Sequence, residues 1–169
     1  KGSTNKSFIT ISLTAGSGED ITFTSVKFYC YAANGAACVA GTTTDVKLSK
    51  ADGVQYGSTV TNPTASASFS GSLTIPASGT VSLTLSGNIP TTAGEGDFYW
   101  KYLDDTTGDL TATGVSSAAD IAESGDVTGS TLTVGAGSLT LSVAASPADQ
   151  TLILGASDVS FVGLILTAG

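Results

Sequence analysis

The sequence predicts an all-β chain folded as an antiparallel sandwich, and three observations predict it. Apolar residues alternate with Ser and Thr at period two through most of the chain, the spacing that sorts side chains onto the two faces of a strand. Gly, Pro, Asn and Asp bound these runs at short intervals, as strand ends require. No stretch carries a convincing apolar stripe at the helical period, and Gly and Ser at this density weaken any helix.

Taken in order, the first strands are FITISL from Phe8 and ITFTSVKF from Ile21. Next comes CYAANGAAC, in which Asn34-Gly35 is the preferred centre of a tight reversal. That reversal brings Cys30 and Cys38 within disulfide reach; the alternative is two unrelated buried thiols. TVSLTLSG from Thr80 is a further strand, and so is DFYWKYL from Asp97. LTATGV from Leu110, TLTV from Thr131 and SLTLSV from Ser138 follow. Roughly ten or more short strands at a spacing of about 8–14 residues need one core shared between two sheets.

The two ends of the chain repeat each other. Residues 7–16 read SFITISLTAG and residues 160–169 read SFVGLILTAG, with six identities in ten at an offset of 153. A period that long means one domain plus the first strand of another. The division expected is therefore a sandwich over residues 1–157 and a terminal strand over 158–169. That strand begins the next repeat of a tandem array, or it fills a slot in a neighbouring molecule that its own first strand resembles. Its Val159, Phe161, Val162, Leu164, Ile165 and Leu166 make it apolar on both faces, so it needs cover on both.

Composition removes several functions. Ser and Thr fill 49 positions and Gly 21, whereas His, Arg and Met are absent and the net charge is −8. Six scattered lysines in such an anion do not form the basic stripe that nucleic acid requires. Without His there is no Ser-His-Asp or Cys-His catalysis, and most zinc sites are lost too. Glu19, Glu95 and Glu123 are the only glutamates; all sit in turn-like sequence without an active-site motif, which speaks against a glycosidase. The apolar runs are too short to span a membrane.

Two binding candidates remain. Asp104, Asp105 and Asp109 in DDTTGD could offer oxygen ligands to calcium, although a solvated turn between two strands is the simpler reading. Phe98, Trp100 and Tyr102 share one strand face, and three such rings form either a sugar-stacking platform or a core anchor. No cofactor is required.

The ordered segments LTAGSGEDITFTSVKF, the Cys-bearing hairpin, SLTIPASGTVSLTLSGNIPTTAGEGDF, DLTATGV and GSLTLSVAASPADQTLILGASDVSFVGLILTAG resemble the immunoglobulin-like β-sandwich repeats of large secreted bacterial surface proteins, of the surface-layer or filament type. The resemblance covers nearly the whole chain. It implies an antiparallel immunoglobulin-like β-sandwich in a tandem or polymeric building block, with the terminal strand given to a neighbouring domain or subunit. It also implies an extracellular, cell-surface location and self-association, and it transfers no catalytic residue. The expected function is thus a non-enzymatic structural subunit or repeat assembled head to tail by β-strand addition. The alternative is an adhesive or carbohydrate-binding β-sandwich module, with or without calcium.

Overall fold

The computed structural model describes residues 1–104, 109–149, 151, 154–155 and 157–168. The chain divides into two compact units, Lys1–Gly135 and Ala136–Gly169. The boundary between these units places SLTLSV, from Ser138, in the second.

The first unit is an antiparallel sandwich without helices among the described residues. One sheet joins β1 (Ser3–Thr14), β6 (Thr80–Ile89), β3 (Thr44–Lys50) and β4 (Gln55–Val60) in that order. The other joins β10 (Leu132–Val134), β7 (Gly96–Tyr102), β2 (Ile21–Ala32) and β5 (Ser66–Ile75). Here β8 (Leu110–Gly114) pairs with β2, and β9 (Val127–Thr128) pairs with β7.

Simple alternation is interrupted where bulges intervene. A register shift between Ser7 and Ile9 in β1 turns the successive residues Phe8 and Ile9 both inward. In β2 a shift between Phe23 and Ser25 resets the phase, so that Phe23, then Val26, Phe28 and Cys30, are buried. These residues meet Leu83 and Leu85 of β6, Val46 and Leu48 of β3, Phe69 of β5 and Trp100 of β7 in one core. At the β4 edge, Gly57 has φ +70°, and a Cβ there would lie 2.9 Å from the Ser70 carbonyl oxygen, so only glycine fits this close approach.

The outward face explains the wealth of hydroxyls. Thr10, Ser12 and Thr14 on β1 stand opposite Thr84, Ser82 and Thr80 on β6. Each pair shares a hydrogen bond, at 2.9, 3.2 and 2.9 Å. Cross-strand Thr and Ser pairs of this kind stabilise a sheet by a few tenths to about 1 kcal/mol each.

Cys30 and Cys38 form the disulfide, with Cα atoms 5.3 Å apart. The reversal between them is built as its residues dictate. Gly35 takes φ +80°, Asn34 Oδ1 accepts from Ala36 N at 3.0 Å, and Cys38 N donates to Cys30 O at 2.9 Å. Closing a loop this short constrains the unfolded chain by about 2–3 kcal/mol. Replacing both cysteines by Ala is therefore expected to lower unfolding free energy by that amount in a denaturant titration. Reductant should bring the parent chain to the same midpoint, and an unchanged midpoint would refute the assignment of stability to this link.

In the second unit, β11 (Leu139–Val143) pairs antiparallel with β12 (Leu164–Ala168). Among the described residues no helix is long and apolar enough to cross a membrane.

Candidate functional site

The two-stranded ribbon of the second unit is where the molecule departs from the rule that apolar side chains find cover. Its register places Leu139 opposite Ala168, Leu141 opposite Leu166 and Val143 opposite Leu164. Directly opposed residues share a face, so one side of the ribbon consists of these six apolar residues. The other side carries Thr140, Ser142, Thr167 and Ile165. The run expected to be apolar on both faces thus builds one wholly apolar face, with Ile165 alone among hydroxyls behind it.

Every large side chain here is open to solvent. Exposure is 69 % for Leu139, 73 % for Val143, 66 % for Leu166 and 82 % for Phe161. Val162, Leu164 and Ile165 are exposed as well, and Val159 is half-buried. An isolated pair of strands is at best marginally stable in water, and its backbone edges remain free to pair. A contiguous apolar surface of this kind marks a contact site.

The other candidate residues are placed differently. Phe98, Trp100 and Tyr102 do share a face, but that face is turned into the sandwich: Trp100 is 0 % exposed. Its indole lies nearly parallel to the Phe8 ring, with centroids 6.0 Å apart and planes at 14°, and Phe98 meets Phe8 edge-on. These rings are core and not a solvent-facing platform, because β9 and β10 cover the β7 edge and β1 crosses its inner face. Among the described residues, Trp100 Nε1 and Tyr102 OH are buried without a hydrogen-bond partner.

Of the three aspartates, Asp105 lies outside the described residues. Asp109 is buried and accepts the Tyr29 hydroxyl on both carboxylate oxygens, at 2.8 and 2.9 Å. Asp104 Oδ2 accepts from Gly125 N at 2.9 Å, while its own N donates to Asp126 Oδ1 at 2.8 Å. The backbone N–H of Asp104 and the Lys101 ammonium hold the Asp126 carboxyl below its ordinary pKa. Asp104 and Asp109 thus serve different partners, and no group of three metal-ligating side chains converges among the described residues.

A structural clamp without local sequence signal involves Glu19. Its carboxylate accepts the Ser117 hydroxyl at 2.6 Å and the Ser117 and Ser116 N–H groups at 2.9 and 2.8 Å. These bonds, the Ser117 hydroxyl first, lower its pKa from the ordinary 4.5. A carboxyl with a depressed folded pKa contributes stability above its unfolded value and loses it as pH falls through the folded one. Glu19→Gln should therefore flatten the fall in thermal midpoint on acidification below that ordinary value. A variant with the parent's acid limb would show that the clamp is not coupled to folding.

The fold and the ribbon together define a class: an antiparallel β-sandwich followed by an uncovered apolar strand pair. No protein-family model, curated protein or solved structure matches the chain.

Proposed function

We propose that this chain is a non-enzymatic, extracellular structural protein, a subunit or repeat of a cell-surface filament or layer joined head to tail by β-strand addition. The observation that carries the reading is the ribbon, whose apolar face has no cover among the described residues of the second unit. Addition to a neighbouring sheet supplies that cover, through ladder hydrogen bonds and through burial of Phe161, Val162, Leu164, Ile165 and Leu166. A disulfide across an eight-residue separation, low charge and abundant hydroxyls support a location outside the cell, where disulfides persist.

The adhesive alternative loses support, since its aromatic platform is core. The test is removal of residues 158–169. The full chain should form filaments or sheets visible by electron microscopy and the truncated chain should not; identical assemblies from both would sink the reading.

A further inference from the structure

We infer that residues 160–168 are a second first strand of the sandwich, and that they dock in the place of β1 against β6 in a second copy of this chain. The inference rests on the strand-addition reading and adds to it the receiving site and the register.

The end repeat acquires a physical meaning once the burial of β1 is known. At the offset of 153, Phe161 corresponds to Phe8, Val162 to Ile9, Leu164 to Ile11, Leu166 to Leu13 and Ala168 to Ala15. Phe8, Ile9, Ile11 and Ala15 are 3–5 % exposed, and Leu13 packs against the same core. Every inward position of the first strand thus recurs as an apolar residue of similar size. The two radical differences, Gly163 for Thr10 and Ile165 for Ser12, fall where β1 faces solvent. A chance likeness between two Ser/Thr-rich strands would have no reason to respect that division.

The most demanding position is the Phe. In β1 that ring is stacked on Trp100 and met edge-on by Phe98, a place with a definite shape. Its counterpart Phe161 is 82 % exposed. The terminal strand therefore carries the key for a lock that is present in every copy.

The edge beside β1 is the competing receiving site, because among the described residues β1 pairs with β6 alone. Residues 7–10 face a cleft of about 300 Å³ there, and residues 12–15 one of about 210 Å³. In the first of these the chain's own backbone, at residues 128–130, stands against β1 and closes the way. A Cβ on Gly129 would run into the Phe8 carbonyl oxygen, and Gly129 N donates to Trp100 O at 2.8 Å. An added strand cannot run the length of that edge, whereas replacement of β1 needs no new space.

Replacement is also balanced. The incoming strand restores the ladder to β6 and the contacts with Trp100, and the released β1, bearing the same apolar pattern, fits β11 in return. Exchange of like for like has a low cost and, when it does not close on itself, links copies in a chain.

Cysteine pairs in the full chain test the register. Thr14 and Thr80 face each other with their hydroxyls 2.9 Å apart, and the counterpart of Thr14 is Thr167. After refolding at high protein concentration and oxidation, Thr80→Cys with Thr167→Cys should give covalent dimers and longer ladders on non-reducing gels. The yield should exceed several-fold that of Thr80→Cys with Ile165→Cys, which is out of register. Thr14→Cys with Thr80→Cys should close within one chain on dilute refolding, which confirms the geometry of the pair. Equal yields from the matched and mismatched pairs, or a Thr80–Thr167 link inside one chain, would overturn the inference. Filaments without a register-specific link would discard the β1 place and leave strand addition standing; neither filaments nor links would discard both.

Discussion

Trp100→Ala is expected to be the most damaging single substitution in the sandwich, with a loss of about 3–5 kcal/mol of unfolding free energy. Trp100 is fully buried, stacked on Phe8, and carried by β7, which pairs with β2 on one edge and with β9 and β10 on the other. Truncation removes the transfer free energy of the indole and leaves a cavity that strands held by ladders on both sides cannot collapse to fill. Domains of this size have about 5–15 kcal/mol in hand, so the variant should be near its folding limit at room temperature. Denaturant midpoint and near-ultraviolet circular dichroism read the effect. In the parent, the indole emission should be blue-shifted and resistant to aqueous quenchers. A loss of less than about 1 kcal/mol would mean that the ring is not the keystone its position indicates.

The second large effect concerns assembly. Burying Phe161, Val162, Leu164, Ile165 and Leu166 would contribute about 7–12 kcal/mol, against about 4–15 kcal/mol of lost rigid-body freedom. In the proposed assembly this gain would favour joining two copies by addition to a free edge; where the strand replaces β1, the release of Phe8, Ile9 and Ile11 offsets most of it. Removing residues 158–169 should abolish polymer in light scattering and micrographs while leaving the thermal midpoint of the sandwich almost unchanged. The reason is that the first unit, Lys1–Gly135, contains the buried core of the described residues. A large drop in that midpoint would instead assign the segment to folding of the first unit.

Much of the sandwich was legible because the side chains that build it announce their period. FITISL, ITFTSVKF and TVSLTLSG lie in β1, β2 and β6, and LTATGV forms β8 except for its last residue. The strands β3, β4 and β5 were less visible for a physical reason. In β3 and β4 the inward residues are few, Val46 and Leu48 in the one and Tyr56 alone in the other, in β5 the run 70–72 separates Ala67 and Phe69 from Ile75, and the outward residues include Lys47, Lys50 and Gln55. Alternation also says which residues share a face, but not which face meets water. That is why Phe98, Trp100 and Tyr102 could be read as a platform or as core until β1 was seen to lie across them.

Pairing partners are hidden for the same reason. SLTLSV alternates like any sandwich strand, yet it pairs with LILTA and lies outside the compact unit of the core. The Glu19–Ser117 and Tyr29–Asp109 bonds join residues 98 and 80 positions apart, a distance over which no local pattern operates. The end repeat, by contrast, was visible in the letters alone. Only the burial of β1 distinguishes its constrained positions from its free ones.

The hydroxyl ladder between β1 and β6 has a consequence for the surroundings in which such a sheet can serve. Its cross-strand bonds join neutral groups, and the ion pairs of the described residues are three exposed contacts, Lys1–Glu95, Lys50–Asp52 and Lys101–Asp126. Dissolved ions weaken attraction between surface charges but leave hydroxyl pairs untouched. A sheet face held this way keeps its cross-strand pairs alike in rainwater and in brine.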